Sequence, residues 1–374
     1  LRWALAGRSE EKLKDVRSKL GDEAANLQLI VADSFDKSAL AALAERTRVV
    51  ITTVGPYALF GSDLVEACVA AGTHYCDLAG EVQWIRKMVD QHHENARATG
   101  AKIVHCCGFD SVPMDMGVWA LQDAVHRKYG QYCLSISMLV RATKGTASGG
   151  TLASMMNLIK ESREDRSVAK VLIHPYSLNP KGERQGPDDR DQQKVLYRKD
   201  ANAWTAPFVM AGVNTKIVRR SHALAGYPYG RDFRYDESVM TGRGFSGWLK
   251  GTLMTVSLGA IVFFASFTPT RNLLQKLVLA KPGEGPDENM QKNGFFNLLQ
   301  IGKLADGTIV RAKVTGDQDP GYGSTSKMLS ECAVCLAKDD LDPEGGVLTP
   351  ASAMGRPLLK RLRDKAGLTF ELKD

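Results

Sequence analysis

Val49-Val50-Ile51-Thr52-Thr53-Val54-Gly55-Pro56-Tyr57 is the stretch on which the reading of the fold turns. Its first part is apolar and β-branched, which predicts a buried strand. Gly55-Pro56 then stops the strand abruptly. Downstream, Ser62 to Ala71 reads as a helix closed by Gly72, and Tyr75 to Leu78 as a brief strand. Val82 to Thr99 reads as a longer helix closed by Gly100, and Ile103 to Cys107 as a strand ending in Gly108-Phe109-Asp110. Upstream, Leu1 to Ala6 is a strand ending in Gly7-Arg8-Ser9, followed by a helix over Glu10 to Leu20. Leu27 to Ala32 is the next strand, ending at Asp33, and Ser38 to Glu45 the next helix. Strands alternating with helices in this way predict an α/β unit: a parallel sheet covered on both faces.

The pattern changes after about Gly117. Ser135 to Ala142, Thr205 to Met210 and Phe233 to Met240 read as strands, Thr151 to Glu161 as a helix, and Pro175 to Gln193 as a long polar loop. Ser324 to Ala337 and Ala353 to Ala366 read as helices. The expected organisation is a first domain over 1–117, an inserted α+β substrate domain over 118–320, and C-terminal helices over 321–374 that return to the first domain. A length of 374 residues suits two cores. The composition, 44% hydrophobic and 24% charged, excludes disorder and fibrous classes. A net charge of +7 favours anionic ligands or surfaces, but no dense basic stripe supports nucleic-acid binding. The odd count of 7 cysteines fits reduced thiols in a cytoplasmic protein. Cys332 and Cys335 form a CxxC with no second pair, so no metal site is expected.

Gly251 to Thr270 carries no charge, between Lys250 and Arg271. About 20 apolar residues would span a bilayer as a helix, but the glycines and hydroxyl residues here equally suit a helix docked on the protein or peripheral at a membrane.

In an open α/β sheet, ligands sit beyond the carboxyl ends of the strands. Gly7-Arg8-Ser9 lies at such an end and offers an arginine where a dinucleotide fold would place an acid for the ribose hydroxyls. Arginine pairs with a 2′-phosphate, which points to NADP rather than NAD. Ser9 before Glu10-Glu11 is also a good helix cap. Asp33 suits either the adenine amino group or a simple turn. Gly55-Pro56-Tyr57 lets backbone approach a ligand and directs a ring at it. The literal GxGxxG at Gly242, Gly244 and Gly247 is rejected as a phosphate turn, because it lies deep in the second domain before an uncharged apolar stretch and no acid follows until Glu284. The glycine-rich turn and its strand and helix, roughly 30 residues, are expected to precede Leu1. The fold class is therefore an N-terminally truncated NAD(P)-binding Rossmann domain with an inserted α+β domain.

Taken in order, Ala6-Gly7-Arg8-Ser9, Val54-Gly55-Pro56-Tyr57, Tyr75-Cys76-Asp77-Leu78-Ala79-Gly80-Glu81, Gly108-Phe109-Asp110-Ser111-Val112-Pro113, Ser148-Gly149-Gly150-Thr151, Gly321-Tyr322-Gly323 and Leu348-Thr349-Pro350-Ala351 form a combined pattern. This pattern resembles the saccharopine dehydrogenase-like oxidoreductases, including the trans-acting enoyl reductases, over nearly the whole chain. The resemblance implies an NADP cofactor held by Gly7, Arg8, Ser9, Asp33, Gly55, Pro56 and Tyr57, with Asp77, Gly80 and Glu81 flooring the cleft near the nicotinamide. It also implies a substrate side built from Asp110, Ser111 and Pro113. Ser148, Gly149, Gly150 and Thr151 open a helix whose free N–H groups suit an anionic substrate group or serve only as a cap.

Either Tyr57 or Asp110, or a bound water, could supply a proton. A saccharopine-type amino-dicarboxylate would need converging cations, and Arg219-Arg220 is the one comparable cluster in the middle block. The apolar segment fits a lipid-like or acyl (enoyl) substrate better, at a membrane surface and in glycolipid biosynthesis. The alternatives are a non-catalytic membrane- or lipid-droplet-associated interaction protein, and a soluble reductase of an amino-acid-derived imine. A homo-oligomer is compatible with the sequence.

Overall fold

The computed structural model describes residues 1–145, 149–267, 269–270 and 287–373, and of residues 149–152 the backbone only. The chain opens with β1 (Ala4–Gly7), α1 (Glu10–Lys19), β2 (Gln28–Val31), α2 (Lys37–Ala44) and β3 (Val49–Ile51). It continues with α3 (Tyr57–Phe60), α4 (Ser62–Ala71), β4 (His74–Cys76), α5 (Val82–Thr99), β5 (Lys102–Val104) and α6 (Val112–Tyr129). Local chemistry fixes these helices. The Ser9 side chain accepts from Lys12 N at the start of α1, and Asp36 accepts from Ser38 N and Ala39 N at the start of α2. Gly72 and Gly100 close α4 and α5 in the left-handed region, as their sequence positions predicted.

β1 and β2 pair in parallel, and β3, β4 and β5 form a second parallel ladder. The far edge of that ladder is taken by β12 (Gly346–Leu348), parallel to β5 and drawn from near the C-terminus. Among the described residues, no backbone ladder joins β1–β2 to the rest. The expected parallel α/β architecture is therefore present.

The rest of the chain contains β6 (Ser135–Lys144), α7 (Gly149–Glu164), α8 (Arg166–Ile173), β7 (Leu196–Arg198), β8 (Ala203–Ala206), α9 (Ala211–Leu224) and β9 (Arg234–Gly242). α10 (Gly244–Ala265), α11 (Glu288–Lys292), β10 (Phe295–Lys303), β11 (Ile309–Gly316) and α12 (Gly323–Lys338) follow. After β12 come α13 (Pro350–Lys365) and β13 (Leu368–Lys373). Seven strands form one mixed sheet in the order β13-β11-β10-β6-β9-β8-β7, with β6 and β9 parallel and the other neighbours antiparallel. The sequence reading lacked β10 and β11. The C-terminal region also differs from the all-helical expectation. β12 completes the first ladder and β13 extends the second sheet, so this region is shared between both. α6 carries Met114, Met116 and Leu121 into a common core with Leu298 and Val314 of the second sheet and Leu358 of α13.

The rejected glycine pattern has a packing explanation. A Cβ on Gly247 would lie 2.4 Å from the Gly242 carbonyl oxygen, so the strand-to-helix corner closes only with glycine there. The α10 helix that follows is 22 residues long, and just 11% of its most apolar window is buried.

Candidate active site

The site is built where β1 to β5 end. Ala32 N donates to Gly7 O, which ties the exits of β1 and β2 together. Arg8 leaves β1 exposed, and its guanidinium has no hydrogen-bond or ion-pair partner among the described residues. Ser9 uses its oxygen on the α1 cap, and Asp33 accepts from Phe35 N in a tight turn. The Phe35 ring meets the Phe60 ring edge-on at 5.7 Å, joining this exit to the one after β3.

The turn Gly55-Pro56-Tyr57 opens α3, and Glu81 holds it. Tyr57 N donates to Glu81 Oε1 at 2.7 Å, Ala58 N to Oε2 at 3.0 Å, and Ser154 Oγ of α7 to Oε1 at 2.9 Å. Glu81 is 1% exposed; burial raises its carboxyl pKa, and these three donors pull it back. Sequence reasoning placed Glu81 against the cofactor. Its oxygens instead fix the turn that would face it. Tyr57 is also committed: its OH donates to Thr52 O and accepts from Leu78 N, its ring stacks on Trp84 at 5.6 Å, and burial pushes its pKa up. The phenol is thus unsuited to giving a proton to a substrate, which corrects one of the two side-chain candidates.

Asp77, which the resemblance placed on the floor of the cleft, is a fully buried hub beneath. It accepts from Tyr75 OH, Ala79 N and Cys106 N, and His105 Nδ1 lies 2.7 Å away. The Gly108 loop is clamped from two sides. Phe109 N donates to Thr325 Oγ1 of α12, and Ser111 Oγ bonds to Asn214 Oδ1 of α9. Asn214 Nδ2 donates in turn to Glu237, which also accepts from Tyr235 OH. Ser111 and Pro113 are fully buried in the start of α6, so they support the loop from within. The resemblance placed both on the substrate side; the fold buries both, with Ser111 Oγ spent on Asn214. Asp110 differs: its carboxylate is partly exposed, has no hydrogen-bond partner among the described residues, and is raised by burial to about 6. Ser148 lies outside the described residues, as do the side chains of Gly149, Gly150 and Thr151, whose backbone begins α7.

No sequence signal marked Thr325, Asn214 or Glu237, because each comes from a distant element and acts through tertiary contact. Arg219 and Arg220 are both spent on internal partners. Arg219 pairs with Asp188 at 2.7 Å with both side chains buried, and Arg220 donates to the carbonyls of Leu178 and Val347. Gly321-Tyr322-Gly323 is likewise structural, because all three N–H groups donate to Asp319 at the start of α12. The seven cysteines are buried and free, and no metal-binding cluster exists among the described residues.

Residues 1–104 match the family model of the saccharopine dehydrogenase NADP binding domain. Along 99% of its length, the chain is 40% identical to a Mycobacterium tuberculosis protein named as a trans-acting enoyl reductase, covering 90% of that protein. The chain belongs to the saccharopine dehydrogenase-like oxidoreductases, a family that includes these enoyl reductase homologues. It is also 37% identical to the trans-acting enoyl reductase of Mycobacterium leprae, over 96% of this chain and 89% of that one. The fold agrees with that of apo saccharopine dehydrogenase (L-Glu forming) from Saccharomyces cerevisiae. The TM-score is 0.55 at 12% identity, covering 99% of this chain and 93% of that one. The protein is thus an oxidoreductase with an NADP(H) cofactor. The site residues fit that cofactor. Arg8 offers an unpaired guanidinium at a strand end, and a Cβ on Gly80 would meet no atom closer than Met210 at 4.0 Å, leaving open space for a flat ring.

Proposed function

We propose that this oxidoreductase reduces the carbon–carbon double bond of a lipid-like acyl (enoyl) substrate at a membrane surface, in the service of glycolipid synthesis. Bound NADPH supplies the hydride. Arg8 would meet the 2′-phosphate, and the Gly55–Tyr57 turn with Gly80 would frame the nicotinamide side. Asp110 is the group assigned to protonate the carbon next to the one that takes the hydride. Its free carboxyl, raised to about 6, holds a proton close enough to neutral pH to give it up. The observation that carries the substrate class is the placement of Arg219 and Arg220. Both are consumed by internal partners and so do not offer the converging cations a dicarboxylate would need, while the apolar α10 surface stands open. The relatives' names, trans-acting enoyl reductases, point the same way.

The test is NADPH oxidation offered α,β-unsaturated acyl thioesters of rising chain length beside cyclic imines and amino-dicarboxylates. Turnover confined to the enoyl series supports this reading. Turnover confined to imines contradicts it.

A further inference from the structure

The geometry of α10 points to a helix that lies in the plane of an anionic lipid surface, and we infer that it does so without crossing the bilayer. The inference rests on the membrane-surface reading above and specifies its mode. At about 1.5 Å per residue, a 22-residue helix is roughly 33 Å long, enough to cross a hydrocarbon core. Both of its ends are nevertheless fixed to the protein. Near the start, Gly247 packs on Gly242, and Gly251 packs against Thr241 and Val195. At the far end Ala265 is fully buried, and the Arg163 guanidinium of α7 lies 5.3 Å from the Phe267 ring just beyond. A spanning helix would carry one of these packed ends through the membrane, and the sheet edge or α7 with it.

The outward face is what a lipid interface takes. Phe245 is 73% exposed, Leu253 66%, Val256 62% and Phe263 58%. Three hydroxyls along or just beyond the helix are satisfied internally: Thr252 donates to Trp248 O, Thr255 to Gly251 O and Ser266 to Val262 O. These three therefore carry no unmade donor into an apolar medium. Charge completes the match. From Ser238 to Gly283 the sequence contains Arg243, Lys250, Arg271, Lys276 and Lys281 and no acid. A stretch of sequence with cations and no acid, of which Arg243 and Lys250 stand exposed at the start of α10, suits anionic headgroups, and salt should weaken the attachment.

This mount also serves the site. α7 touches α10 near its C-terminal end, and from its N-terminal half Ser154 reaches Glu81, the residue that holds the Gly55–Tyr57 turn. One helix thus runs from the lipid-facing surface to the cofactor side, along which a membrane-resident acyl chain would be presented.

The test is flotation of the full-length protein with phosphatidylcholine vesicles, with and without phosphatidylglycerol, alongside NADPH titration. The expected result is binding to the anionic vesicles only, release by high salt or alkaline carbonate, and at least a ~10-fold fall for Leu253→Glu with Val256→Glu. Both positions are exposed, so the variant should keep its NADPH affinity and its turnover of a short soluble enoyl thioester. Failure to float with NADPH binding intact overturns this inference alone, whereas loss of all redox turnover overturns the functional reading instead. Retention after carbonate would show a spanning helix. A lipid-free dimer that protects α10 would show a second copy as its cover. Either result overturns the inference.

Discussion

Arg8, exposed, and Asp110, half-buried, each hold an ionic group at a strand end without a hydrogen-bond or ion-pair partner among the described residues. An unpaired guanidinium beside a turn has one clear use in a dinucleotide fold, the extra phosphate that distinguishes NADP from NAD. Arg8→Gln is therefore expected to weaken NADPH about 10- to 100-fold while leaving NADH affinity nearly unchanged, as two calorimetric titrations would show. For Asp110 the active form is the protonated one. With its carboxyl raised to about 6, kcat should fall as pH rises through that region and level off below it. A kcat profile flat across this range would remove Asp110 from the chemistry. Arg8 was legible in the sequence because the residue after a strand carries its own meaning. The burden on Tyr57 was not, because a tyrosine aimed at a ligand and one stacked on Trp84 look alike until the partner is known.

At the scale of elements, the Gly55–Tyr57 turn is held by one carboxylate reaching from the end of the neighbouring strand. Both Glu81 oxygens accept from N–H groups of α3. Glu81→Gln puts an amide N–H against one of those donors. It should cost about 1–3 kcal/mol of stability and weaken NADPH binding, while the turnover rate at saturating cofactor changes little. Thermal denaturation with and without NADPH reads both effects, and an unchanged melting temperature would show that the turn holds without Glu81. The early strands and helices could be read from periodicity and caps because those signals are local. β10 and β11 were harder, because their stretches mix polar and apolar residues and are specified by pairing with each other and with β6. The α10 segment was legible as apolar, yet only its packing at Gly251 and Ala265 shows how it is mounted.

Across the whole molecule, buried acids tie helices to the elements packed against them and make stability depend on pH. Glu237 bonds α9 to β9 and is raised by burial to about 8 from an ordinary 4.5. Asp115 of α6 accepts from Ala351 N of α13 and is raised to about 7 from 3.8. Between the ordinary and raised values the folded protein holds protons that the unfolded chain has lost, so stability should fall as pH climbs from about 4 through about 8. Glu237→Gln, which keeps a neutral partner for Asn214 and Tyr235, should flatten that decline. Urea denaturation of both proteins near pH 5 and near pH 9 would show it, and parallel declines would contradict it. None of these contacts between distant elements was visible in the sequence, because each joins residues that meet only when the fold closes.

The most direct test is single-turnover oxidation of bound NADPH by a long-chain enoyl thioester, in the wild type and in Asp110→Asn. The expected result is stoichiometric oxidation by the wild type and a loss of roughly 100-fold or more in rate for the variant, with NADPH affinity unchanged. Equal rates in the two proteins, or no oxidation by any enoyl thioester while an imine is reduced, would contradict the account.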